Sequence, residues 1–114
     1  MPTITPNLPP VLDEVAPVID DDLLIRFRGR WVAATDMQAP VVAHLLDNLG
    51  EMVSIDEVRA AYTSAGGSDD LDAIRSLMHR IGRKLTAVGA SVTYARHRAG
   101  MMVSVATGPS VAMS

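Results

Sequence analysis

A chain of 114 residues, 48% of them hydrophobic, is long enough to bury one real core and too short for two ordinary domains. It has no cysteine, which excludes disulfides, thiolate zinc sites and thiol nucleophiles together, and no run approaches the ~18 apolar residues of a membrane span. The formal net charge is -3 and very unevenly spread: residues 1–72 hold all 13 acids against Arg26, Arg28, Arg30 and Arg59, making -9, while residues 73–114 hold Arg75, Arg80, Arg83, Lys84, Arg96 and Arg98 and no acid, making +6. A merely solvated surface interleaves both signs, so a purely basic C-terminal third points to an anionic partner, nucleic acid first.

In chain order, residues 1–22 (MPTITPNLPPVLDEVAPVIDDD) carry five of the seven prolines and five acids with no base. Proline fixes φ and removes a donor, so this stretch is expected to be a flexible acidic arm, with Asp20, Asp21 and Asp22 a solvated run. Its aliphatic side chains leave room for docking a protein partner. It has no basic region followed by an apolar stretch, so the chain is expected to be soluble and cytoplasmic, without a membrane partner. "LLIRF" and "RWVAA" read as two short strands around a tight turn at Arg28 and Gly29. Thr35 or Asp36 can cap the next segment, where Val41, Val42, Leu45, Leu46 and Leu49 recur at helical spacing, Pro40 falls in the first turn and Gly50 closes the end. After a short extended piece, "EMVS", the S-x-x-E of Ser54 and Glu57 is a capping box that opens a second helix ending near Gly66-Gly67.

A third helix is expected over residues 70–89, with acids in its first turn where the helix dipole favours them. At about 100° per residue, Ile74, Leu77, Met78, Ile81, Leu85 and Val88 gather on an inward face. The opposite face is centred on Asp72, Ser76, His79 and Arg83, with Arg80 flanking it and Arg75 and Lys84 nearer the edges. Gly82 inside such a helix costs about 1 kcal/mol relative to alanine, so close approach of another group to the backbone is expected there. Residues 91–105 then read as strand, basic turn (Arg96, His97, Arg98) and strand, and residues 107–114 as a loose tail.

Helix, turn, helix and a β-hairpin with arginines at its tip form a winged-helix pattern over residues 23–106, an α+β fold with three helices, a small N-terminal sheet and a C-terminal wing. "MVSIDEV", "MHRIGRKL" and "VTYARHRAGMMVSV" resemble, in order and spacing, the strand-to-helix junction, recognition-helix end and wing of the OmpR/PhoB-type response-regulator effector domains. That resemblance implies double-stranded DNA as partner. Helix 70–89 would enter the major groove, with Arg75, Ser76, His79, Arg80, Arg83 and Lys84 near base edges or phosphates, and Arg96, His97 and Arg98 would reach the adjacent minor groove or backbone. The chain departs from the family pattern at Gly82, where arginine is usual, at Asp72, where a basic or polar residue is common, and at His97, where the wing has glycine. A sequence preference therefore does not transfer, and without a receiver domain a stand-alone form free of phosphorylation control is expected.

One recognition helix reads a short half-site, so a homodimer or tandem binding is expected. His44, beside Leu45, reads as a partly buried structural residue. His79 and His97 have too few acids nearby for a metal site, no Ser/His/Asp set or glycine-rich phosphate loop has support, and no enzyme, metal or cofactor is expected. The role expected is a small transcriptional regulator or DNA-organising, nucleoid-associated protein. The alternative is a winged-helix adaptor contacting another protein. A composition rich in Ala, Val, Asp and Arg is compatible with a bacterium of high GC content or its phages.

Overall fold

The computed structural model describes residues 14–105. Its first sheet is antiparallel, in the order β1 (Val18–Ile19), β2 (Leu24–Phe27), β3 (Arg30–Ala33). Ile25 and Phe27 alternate with Leu24 and Arg26, so the first pair is buried and the sheet's other face looks outward. Phe27 pairs with Arg30 across a two-residue turn in which Arg28 (φ 49°) and Gly29 (φ 83°) are both left-handed. That is the hairpin turn whose twist matches the strands, and glycine supplies half of it at no steric cost. Arg28 accepts its strained φ where its guanidinium lies 4.5 Å from the Phe27 ring centroid and its Nε donates to the Glu14 carbonyl at 2.9 Å.

The end of the 1–22 stretch departs from the expected free arm. Val18 and Ile19 pair with Arg26 and Ile25, so the folded unit starts before Leu23. The "DDD" run is a built turn: the Asp20 carboxylate accepts from the backbone N–H groups of Asp22 (2.9 Å) and Leu24 (3.0 Å) and from Arg26 Nε (2.6 Å). Pro17 is tolerated because β1 is an edge strand. The rest of the arm, residues 1–13, and the tail at 107–114 lie outside the described residues.

The hydrogen bond from Arg26, then that from Leu24, holds the Asp20 carboxyl below the usual carboxylate range. A carboxylate whose folded pKa is depressed stabilises the fold at pH values above its unfolded pKa of about 4, and that contribution is lost as pH falls through the folded value. Asp20→Ala should therefore lower the melting temperature at neutral pH, flatten its acid dependence and speed amide exchange at Ile19 and Ile25. An unchanged exchange pattern would mean that the turn does not hold β1.

Three helices follow. Before α1 (Ala39–Asp47), Thr35 and Gln38 bond each other reciprocally, Oγ1 accepting from Gln38 N and Oε1 from Thr35 N, and Pro40 sits in the first turn where no donor is missed. In α2 (Ile55–Ser64) the capping box is formed: Glu57 N donates to Ser54 Oγ and Ser54 N to Glu57 Oε2, both at 3.1 Å. His44 of α1 is half-exposed and joins the two helices through its Nε2, 3.1 Å from Glu57 Oε1. The longest helix, α3 (Leu71–Ala87), is capped by the Asp70 side chain, which accepts from Ala73 N at 3.0 Å. The second sheet has the order β4 (Val53–Ser54), β6 (Gly100–Ser104), β5 (Ser91–Tyr94). One core fills the space between the helices and both sheets, drawn from Ile25 and Phe27, Val41 and Leu45, Val58, the α3 stripe, and Met101 and Val103.

Candidate nucleic-acid interface

The inward stripe of α3 is buried as the periodicity requires: Ile74, Leu77, Met78, Ile81 and Leu85 are each no more than 2% exposed. Burial of that stripe fixes the helix's rotation, so the opposite stripe must face outward. Asp72, Ser76, His79 and Arg83 are all exposed and fall within about 60° of one another at 100° per residue. Arg80 is exposed beside them, while Arg75 is half-buried with its Nη1 3.7 Å from Asp72 Oδ1.

Lys84 does not share that outward face freely. Its Nζ donates to the Ala33 carbonyl at 2.8 Å and to Gln38 Oε1 at 2.6 Å, tying α3 to the end of β3 and the start of α1. Burial, with nearby Arg80, pushes its pKa below the ordinary lysine range. Gln38 is only 7% exposed and leans on this bond. Lys84→Met should cost about 1–2 kcal/mol of stability, because the Ala33 carbonyl loses this donor and Gln38 Oε1 is left with Thr35 N alone. It should leave the salt dependence of DNA binding unchanged; a drop in that dependence by about one phosphate contact would return Lys84 to the interface.

Gly82 finds its reason in the wing. A Cβ there would collide with Tyr94 Oη, and Tyr94 Oη donates to the Met78 carbonyl at 3.4 Å. Burial raises the Tyr94 pKa, partly opposed by Arg98. The glycine thus lets β5 close on α3, leaving a crevice floored by Gly82, Val92 and Tyr94 with His79 and Arg83 at its rim. Helix stripe and wing consequently form one continuous surface.

At the wing tip, Arg96–Arg98 lie in two overlapping tight turns closed by Arg98 N to Ala95 O (2.9 Å) and Ala99 N to Arg96 O (3.1 Å). His97 (φ 58°) and Arg98 (φ 53°) are left-handed without being glycine, which fixes the tip in a conformation that side chains seldom adopt. The Arg98 guanidinium lies 5.6 Å from the Tyr94 ring centroid, so one aromatic ring positions both the helix contact and a tip arginine. Arg96, His97 and Arg98 are all exposed.

Of the nine residues expected at the interface, Ser76, His79, Arg80, Arg83, Arg96, His97 and Arg98 are exposed on this helix-and-wing surface, Arg75 stands at its edge, and Lys84 is occupied within the fold. Tyr94 was not among them, because its approach to the helical glycine depends on the path of the chain through the wing. Trp31 escaped as well: it is 63% exposed on β3, paired with Arg26 on the outer face of the first sheet. No helix among the described residues is long and apolar enough to cross a membrane, and no three His, Asp or Glu side chains among them are grouped as a metal site requires.

The fold is similar to that of the C-terminal domain of the nisin resistance regulator NsrR, a lantibiotic response regulator, with a TM-score of 0.65 and 15% sequence identity over 77% of this chain and 90% of that chain. The likeness shows a shared fold, an α+β winged helix. No protein-family model and no curated protein sequence matches the chain.

Proposed function

We propose that the protein binds double-stranded DNA, with α3 in the major groove and the β5–β6 wing on the minor groove or backbone, as a small transcriptional regulator or DNA-organising protein. The observation that carries the reading is the packing of the wing strand on α3 at Gly82 and Tyr94, which leaves Arg80 and Arg83 exposed on the helix and Arg96 and Arg98 exposed on the wing, within a stretch from residue 73 onward that has no acid. Positive charge so gathered attracts phosphate, while Ser76, His79 and Arg83 present donors and acceptors to base edges. The winged-helix likeness to a response-regulator domain supports the same assignment. A single helix reads a short half-site, which favours a homodimer or tandem binding.

A protein-contact role has one observation in its favour: Trp31, the chain's single tryptophan, stands exposed on the sheet face away from the core. Titrating a 15N-labelled chain with a short duplex separates the two readings. Amide shifts should cluster at residues 75–83 and 92–99; a chain that shows none there has no DNA interface on this surface.

A further inference from the structure

Within the outward stripe of α3, one side chain carries the wrong charge for a groove walled by phosphates. Asp72 is in line with Ser76, His79 and Arg83, its side chain is 94% exposed, and its ion pair is a loose 3.7 Å approach to Arg75. It does not cap the helix, since Asp70 does that. The stripe therefore runs from a pure acceptor at Asp72, through side chains that both donate and accept, to a pure donor at Arg83.

We infer that Asp72 is a specificity-determining residue for DNA reading: in the major groove it accepts from an exocyclic amino group, cytosine N4 foremost, and it penalises duplexes that do not offer one. The inference rests on the DNA-binding reading above. A carboxylate has no proton to give, so the N7 and O6 of guanine and the O4 of thymine repel it. Adenine offers its amino group beside an acceptor, a pairing that suits an amide; cytosine N4 is the partner for a carboxylate. Phosphates repel it too, which weakens binding to arbitrary sequence and raises the ratio of specific to non-specific affinity.

The positions on the helix also set a spacing. Asp72 and Arg83 are eleven residues apart, about 16 Å along the axis at 1.5 Å per residue. The span places Asp72 and Arg83 at opposite ends of the helix stripe, so a cytosine read by Asp72 and a guanine read by Arg83 are separate positions of one site.

Selection from a randomised duplex library, run in parallel with the full chain and its Asp72→Asn and Asp72→Ala variants, tests this. The full chain should enrich cytosine at one position, Asp72→Asn should move that position toward adenine, and Asp72→Ala should lose the preference there by about 5- to 100-fold. Both variants should bind random duplex at low salt about two- to fivefold more tightly than the full chain. Melting curves should show each variant folded, since Asp70 still caps the helix. Variants that keep the parent's preference and its random-duplex affinity would overturn the inference and leave Asp72 serving only the helix dipole. A full chain that binds no duplex at any salt would instead remove the DNA-binding reading, and this inference with it.

Discussion

Gly82→Leu should lower stability by about 2–4 kcal/mol and weaken DNA binding at the same time, because it drives a side chain into the place where Tyr94 meets α3. Even a methyl group would collide with Tyr94 Oη, and the Val92 side chain lies just beyond at 3.5 Å. Tyr94 would have to swing out, abandoning its bond to the Met78 carbonyl and the ring on which Arg98 rests. A smaller pair of changes isolates the cause. Alanine is the better helix former by about 1 kcal/mol, so Gly82→Ala should destabilise the native chain far more than a Tyr94→Phe background, where the colliding oxygen is gone and the nearest ring carbon lies 3.2 Å from the new methyl group. Thermal denaturation of the four proteins gives the comparison. An equal loss in both backgrounds would mean that the glycine is retained for some other reason.

Arg83→Ala and the double change Arg96→Ala with Arg98→Ala should fail in different ways. Arg83 is at the centre of the helix stripe, where a guanidinium can donate twice to guanine O6 and N7, and its loss should erase about 1–3 kcal/mol of discrimination between sequences. In the proposed assignment the wing tip meets phosphate or minor groove, so its loss should weaken all duplexes alike and reduce the salt slope by about two contacts. All three side chains are exposed, so both variants should keep their circular dichroism and melting temperature. If neither variant alters binding while both stay folded, the groove assignment is wrong.

What was legible in the sequence is what short-range chemistry decides. The hairpin turn at Arg28-Gly29, the capping box of Ser54 and Glu57, the apolar stripe of α3 and the strand–turn–strand of the wing each depend on residues within a few positions of one another. The outward stripe was legible for the same reason, since it is the complement of the buried one. The strand at Val18–Ile19 was hidden because two residues after a proline carry no period, although Asp20 bonding the backbone two and four residues on is local turn chemistry that could have marked it. Long-range partners were beyond reach. The bond from Lys84 to the Ala33 carbonyl spans 51 positions, and nothing near Lys84 separates an anchoring lysine from a phosphate-binding one. Gly82 announced that something approaches the helix; only the path of the chain through the wing shows that it is Tyr94.

A fluorescence-anisotropy titration of a random-sequence duplex with the full chain, repeated from low to physiological salt, tests the central claim most directly. With Lys84 engaged inside the fold, the cations left for phosphate are Arg75, Arg80 and Arg83 on the helix and Arg96 and Arg98 on the wing. If four or five of them displace counterions, log K should fall against log salt with a slope of roughly -4. Binding that is absent at low salt, or flat across the range, would contradict a phosphate-contacting surface on α3 and the wing.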